Sequence, residues 1–285
     1  MFRKILVPVR GDGKGENVLA HATLLANRFD AHIEVTHCRP KPSHLLPFGV
    51  PVPSFLQGQI LEQAASVADE VVKGLREAFD RYAAAHDLKI IDAQNGPGPS
   101  ASWTEEEGKQ IDIIKHHGRL ADLIVVPKPD RDQNLGANTL KSALFGTGRP
   151  VMMCPPRDDE PTSVGERVAI AWNGSVEAVR AVSLTLDLIS RASEVTILTA
   201  DRAQLHSASA DDLASYLRVR DIEAKVDLFA SNGKIGKELL DRAMAVGADT
   251  MIMGAYGDSH EHETIFGGNT QVVVDNADIP VVLVH

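Results

Sequence analysis

Cysteine is scarce in this sequence, at two in 285 residues, basic residues are fewer than acidic ones, and no extended apolar run occurs. Cys38 and Cys154 have no second cysteine at metal-ligand spacing, which excludes a disulfide framework and leaves two reduced thiols expected to be buried. The opening stretch MFRKILVPVRGDG reaches polar residues too soon after its basic pair to supply a secretion signal or a membrane span. A cytoplasmic location with no membrane partner is therefore expected. With 29 Lys and Arg against 39 Asp and Glu, the formal net charge is -10, which argues against nucleic acid as a partner, since that binding rests on clustered cations. One small anion is still within reach, because the free N–H groups at a helix N-terminus supply a positive field without a basic side chain.

What the sequence does contain is a repeat. KILVPVRGDG at 4–13 is echoed by RVAIAWNGSV at 167–176, each an apolar strand running into a glycine turn and then a helix. Val18, Ala22, Leu25, Ala26 and Phe29 recur at helical spacing after the first, and Val179, Val182, Leu186 and Ile189 after the second. HIEVTHC at 32–38 pairs with EVTILTA at 194–200, ADLIVV at 121–126 with ADTMIM at 248–253, and RPVMMC at 149–154 with IPVVLV at 279–284. The first copy is the longer. Its excess lies in the Pro-rich segment CRPKPSHLLPFGVPVPSFLQGQ, 38–59, which forbids a regular helix or central strand, and in a long helix expected over Ile60 to His86. PPRDDEPTSVGE at 155–166 reads as a linker. Two domains follow, at 1–156 and 165–285.

Strands that are unbroken runs of Val, Ile, Leu and Met suit a parallel sheet buried on both faces, so each copy is expected to be a doubly wound five-stranded α/β domain. Ligands on such sheets bind beyond the strand C-terminal ends, where the chain order reverses. In the second copy, AWNGS at 171–175 offers Gly174 for a tight turn and Ser175 as a helix cap. The loop after the fourth strand begins with Gly254 and Gly257 and ends in Gly267, Gly268, Asn269 and Thr270 before an apolar run. Glycines on both sides let main chain approach a ligand, and the last pair opens a helix whose N–H groups favour phosphate.

Glycine, two residues, glycine, nine residues, glycine is the pattern of Gly254, Gly257 and Gly267, and on it the chain resembles the universal stress protein family in its tandem form. The resemblance covers both copies. It implies a Rossmann-like strand order of 3-2-1-4-5, pairing of the two halves through their last strands, and a homodimer of tandem chains. It also implies that the second copy binds ATP or a related adenine nucleotide in stress response or signalling, with no metal beyond Mg accompanying the nucleotide. Ala171 and Met253 would line the base with Thr199 beside it, and Asn173 would face the nucleoside in place of the family's Asp. Gly254 and Gly257 would pass ribose and phosphates, and Gly267, Gly268, Asn269 and Thr270 would close the phosphate end. Gly268 stands where the family usually has Ser or Thr.

The first copy reads as a degenerate site. Pro127 and Asp130 fall opposite Gly254 and Gly257, residues 131–135 replace the longer 258–266, and Arg10 replaces the nucleoside-facing polar residue. Arg10 and Lys14 beside GDGKG could hold another anion, although GDGKG lacks the spacing and final Ser or Thr of a P-loop.

Three other readings compete. Asp258, His260, His262 and Glu263 could form a zinc site, but no cysteine or distant histidine is tied to them, and a solvated lid is the expected role. Ser175, Asp201 and His206 give no recognisable nucleophile, base and orienter, and His116 and His117 are expected to be packing residues, so at most slow ATP hydrolysis is expected and no catalytic residue is named. Finally, Leu45, Leu46, Phe48, Val50, Val52 and Phe55 of the Pro-rich segment could engage a protein partner without any nucleotide.

Overall fold

The computed structural model describes residues 2–41, 53–92, 98–201, 208–257 and 268–285. The apolar side chains expected to engage a partner, Leu45 to Val52 and Phe55, lie outside what is described, as do the lid residues Asp258, His260, His262 and Glu263.

The first half runs β1 (Lys4–Val9), α1 (Gly15–Phe29), β2 (His32–Pro40), α2 (Ser54–Ala85), β3 (Lys89–Ile90), β4 (Ser100–Gly108), α3 (Gln110–Gly118), β5 (Leu123–Pro127), α4 (Ala137–Thr147) and β6 (Val151–Cys154). The second runs β7 (Arg167–Ala171), α5 (Val176–Leu184), α6 (Leu186–Ser190), β8 (Glu194–Ala200), α7 (Ala210–Arg218), β9 (Lys225–Phe229), α8 (Ile235–Ala245), β10 (Thr250–Gly254), α9 (Gly268–Asn276) and β11 (Val281–Val284).

All the strands form one sheet in the order β3-β4-β2-β1-β5-β6-β11-β10-β7-β8-β9. Within each half the pairing is parallel and the expected 3-2-1-4-5 order holds, β9-β8-β7-β10-β11 in the second and β4-β2-β1-β5-β6 in the first. The first half departs from five strands because the two-residue β3 adds itself outside β4. The halves join through their last strands, with β6 and β11 antiparallel and Met152 opposite Val282. Every residue of these two strands is buried, and each large apolar side chain contributes roughly 1.5–3 kcal/mol by leaving water. That makes the join part of the core.

Helices cover both faces. One layer packs α1, the end of α2, α5, α6 and α7 in a single apolar cluster that includes Phe29, Phe79, Val182, Ile189 and Leu217. The other packs α3, α4, α8 and α9 around Ile114, Leu144, Leu240 and Val274. Both clusters cross from one half to the other. The segment 155–166 is held to α1: the Pro155 carbonyl accepts from Asn17 Nδ2 at 2.8 Å and the Val164 carbonyl from Arg28 Nη1 at 3.1 Å.

Three expectations change. The helical face of α1 is buried as the spacing predicts, but Val179 on α5 is 49% exposed. Ala178, Ala181 and Val182 face the sheet instead, because small residues let the helix approach closely, and the helix breaks at Thr185, whose hydroxyl donates to the Ala181 carbonyl at 2.6 Å. Helix α2 starts at Ser54 rather than Ile60, since Pro53 at its N-cap position leaves the following residues free of proline. Cys154 is buried, whereas Cys38 is only half-buried. Burial pushes both thiols up.

Candidate functional site

Strand β7 leads to α5 on one face and β10 to α9 on the other, so the crevice between them lies beyond the C-terminal ends of two adjacent strands. Register places Met253 beside Ala171 and Ala171 beside Leu198, which brings three of the expected site positions, 171, 199 and 253, to the same end of the sheet. Alternation then separates them. Ala171 and Met253 belong to the α8 and α9 layer together with Leu198, so Thr199 faces the α5 layer, where its buried hydroxyl has no hydrogen-bond partner among the described residues.

The first loop is locally determined. The Asn173 carboxamide oxygen accepts from Ser175 N at 3.1 Å, Gly174 takes a φ of 72°, and Ser175 Oγ accepts from Ala178 N at 3.2 Å, the cap expected from sequence. Trp172, at the strand end, donates from Nε1 to the Ala208 carbonyl at 2.9 Å.

On the other wall, Gly254 is required by a backbone contact, whereas Gly257 meets the end of a side chain. A Cβ on Gly254 would lie 2.5 Å from Ala178 N and 2.6 Å from the Glu177 carbonyl carbon, so the glycine lets α5 pack against β10. A Cβ on Gly257 would lie 2.5 Å from Glu177 Oε2. The carboxylate of α5's first turn therefore rests on the loop where phosphates were expected to pass. Between the two glycines, Tyr256 takes a φ of 59°, its N–H donates to Thr270 Oγ1 at 3.3 Å, and its ring packs on Phe145 of α4 with centroids 5.4 Å apart. Burial pushes the Tyr256 phenol up to about 12, with Asp275 adding to the shift.

At the start of α9, Thr270 is thus turned inward to hold Tyr256, and Asn269 Oδ1 accepts from Gly236 N at 3.1 Å, which ties α9 to the start of α8. Gly268, at a φ of 77°, is exposed, and among the described residues nothing lies within 4 Å of where its Cβ would be. The first N–H groups of α9 have no partner within the helix. Gly267 lies outside the described residues.

The corresponding place in the first half is filled by its own side chains. Arg10 pairs with Asp12 and its guanidinium reaches Gly136, whose Cβ would lie 3.4 Å from Arg10 Nη2, directly before α4. Lys14 Nζ pairs with Asp130 Oδ2 at 3.1 Å, and Asp130 and Leu135 exchange backbone hydrogen bonds of 2.8 and 2.9 Å that close the short loop. The Gln133 N–H and then Lys14 hold the Asp130 carboxyl below the usual carboxylate range.

A model of the universal stress protein family matches residues 165–285, the segment that carries Asn173, Gly254, Gly257 and Gly268. Residues 165–285 are a universal stress protein domain. The fold of the whole chain is also that of solved structures. A universal stress protein from Archaeoglobus fulgidus DSM 4304 aligns over 99% of this chain and 95% of its own, with a TM-score of 0.71 and 17% identity. A protein from Pseudomonas aeruginosa PAO1 aligns over 99% and 92%, with a TM-score of 0.56 and 14% identity. A comparison with curated proteins gives no match.

Other expected residues fall elsewhere. His117 lies between two carboxylates, Nδ1 at 3.1 Å from Glu34 Oε1 and Nε2 at 2.6 Å from Glu106 Oε1, a packing site on α3 far along the chain from the universal stress protein domain. Among the described residues no cluster of His, Cys, Asp and Glu could hold a metal ion, and no helix is long and apolar enough to cross a membrane. Sequence reasoning missed Glu177. The signal was its position, equivalent to Lys14 in the repeat.

Proposed function

We propose that the C-terminal domain binds an adenine nucleotide, ATP or a close relative, and that the chain acts in stress response or signalling through that binding. The observation that carries this reading is the exposed start of α9 at Gly268, in the connection from β10, which pairs with the β7 strand that leads to Asn173. The family match over the same residues supports it. The base would meet Ala171 and Met253, the nucleoside Asn173, and the phosphates the backbone of residues 267–269. A Thr199 hydroxyl lacking a partner in the opposite layer leaves a buried hydrogen-bonding group beside this end of the sheet.

The N-terminal half, 1–156, serves in this reading as a nucleotide-free partner domain whose crevice is closed by Arg10, Asp12, Lys14 and Asp130. Mg would accompany the nucleotide, and a homodimer of tandem chains in the cytoplasm is the proposed setting. Calorimetric titration with Mg and ATP, repeated on Gly257→Val with Gly267→Val, tests the reading. One site per chain in the parent and none in the double variant is the expected result; no heat from the parent would overturn it.

A second reading has its own observation. Leu56, Ile60, Val67 and Val71 lie exposed along α2, as a protein partner bound near the Pro-rich segment would require.

A further inference from the structure

We propose that Glu177 makes the C-terminal crevice selective for low ligand charge, so that it takes a nucleoside monophosphate in preference to a free triphosphate. The proposal rests on the nucleotide reading above and concerns which nucleotide that site admits.

Placement carries the argument first. Glu177 sits in the first turn of α5, and its Oε2 lies on Gly257, on the wall of the crevice between the β7 and β10 ends. Gly254 fixes this arrangement, because its missing Cβ lets the Glu177 backbone itself lie against β10. Arg180, one turn further along α5, forms no ion pair with it. The stretch after Arg242 has no Lys or Arg, while Asp249, Asp258, Glu261, Glu263, Asp275 and Asp278 fall in it; of Lys234 and Lys237, which flank the Gly236 contact with Asn269, Lys237 is paired with Asp241 at 2.7 Å. What attracts an anion here is the α9 N-terminus, a partial charge of about half a unit. That is enough for one phosphate and is opposed by Glu177 for each phosphoryl group beyond it.

The first half gives the comparison within the molecule. Lys14 occupies the place of Glu177 in the repeat, and Asp130 the place of Gly257. There the same two positions face each other as a cation and an anion at 3.1 Å. The contact between the start of the first helix and the loop after the fourth strand is thus a constant of both halves, and only the charges on it differ.

Titration calorimetry with AMP and with ATP, in EDTA and then in excess Mg, tests the proposal on the full-length chain. In EDTA the parent should bind AMP at least roughly tenfold more tightly than ATP, since one unscreened like-charge contact is of that size. Glu177→Gln should remove most of that difference, Glu177→Lys should reverse it, and Mg should narrow it in the parent by neutralising the polyphosphate. Thermal melting of both variants checks that they are folded. Equal affinity of the parent for AMP and Mg-free ATP, or a ratio unchanged in folded Glu177→Gln, would overturn the proposal and leave nucleotide binding standing. If neither nucleotide binds the parent or the variants, the nucleotide reading falls and the proposal with it.

Discussion

Glu177 stands in the second half where Lys14 stands in the first, and the two carry opposite charges against the same loop, Glu177 on Gly257 and Lys14 on Asp130. In the first half this contact is an ion pair that seals the crevice. In the second it leaves a carboxylate on the loop after β10, with Gly268 exposed at the start of α9.

The glycines of the motif differ in what they tolerate. Gly254→Ala would drive a methyl group into the backbone of α5, so it should cost about 1–3 kcal/mol of stability in denaturant unfolding. Gly74→Ala is the control. It lies exposed in α2 with nothing among the described residues within 4 Å of its missing Cβ, and should stabilise by roughly 0.5–1 kcal/mol. Equal effects at the two positions would contradict the packing role of Gly254.

How much of this was legible in the sequence depends on the range of the interaction. Strands such as ADLIVV and ADTMIM declared a parallel sheet because both faces are buried, and the Ser175 cap was readable because its partner is three residues away. Gly254 was readable as a glycine that matters, but its reason was not, because the atom that excludes a side chain belongs to a helix far upstream. Val179 breaks the expected face because Ala178 and Ala181, not Val179, join Val182 against the sheet on α5, and small residues leave little mark on an apolar pattern. The two-residue β3 is shorter than any periodicity can reveal.

Two buried histidines set a pH dependence. His21, with Nδ1 at 2.7 Å from the Asn17 carbonyl, and His32, between Ser100 and Ser102, both have pKa values lowered from 6.5, chiefly by burial. The unfolded chain therefore binds the more protons in the interval below 6.5. Their contribution to stability is fully present above that value and is lost as the pH falls through it toward the folded-state pKa. Melting temperature should drop between pH 7.5 and 5.5, and His21→Gln should flatten the drop. An unchanged slope in that variant would show that His21 is not one of the groups responsible.

The contact of Phe145 with Tyr256 predicts that the first half steadies the second half's loop. Phe145→Ala removes an aromatic contact worth about 0.5–1.5 kcal/mol. Amide hydrogen exchange across residues 254–257 should then quicken by up to roughly tenfold, with the amides of β7 unaffected. Unchanged exchange at Tyr256 would mean that Thr270 alone holds the loop.

Both apolar layers cross the join, so the halves should unfold together. The sequence has two tryptophans, Trp103 in β4 and Trp172 after β7, one reporter in each half. Trp103→Phe and Trp172→Phe each leave a single probe. Their denaturant transitions, each compared with far-ultraviolet circular dichroism of the same variant, should coincide. A fluorescence midpoint displaced from the dichroism midpoint in either variant would show that one half unfolds without the other.

Because β6 and β11 run antiparallel, the strand ends that form one crevice point away from those that form the other. The sealed and the open crevice therefore face opposite rims of the same sheet. The same reversal sends the tail of each half's last helix to the other half's rim: Phe145 of α4 meets Tyr256, while the α9 end gives its Ala277 carbonyl to Lys128 at 2.9 Å and its Asp275 to Arg131. Each loop is thus braced by a domain whose own crevice looks the other way. A molecule bound at the second rim is out of reach of the sealed one, and α9, which starts at the one and ends at the other, is a rigid element that spans the distance between them.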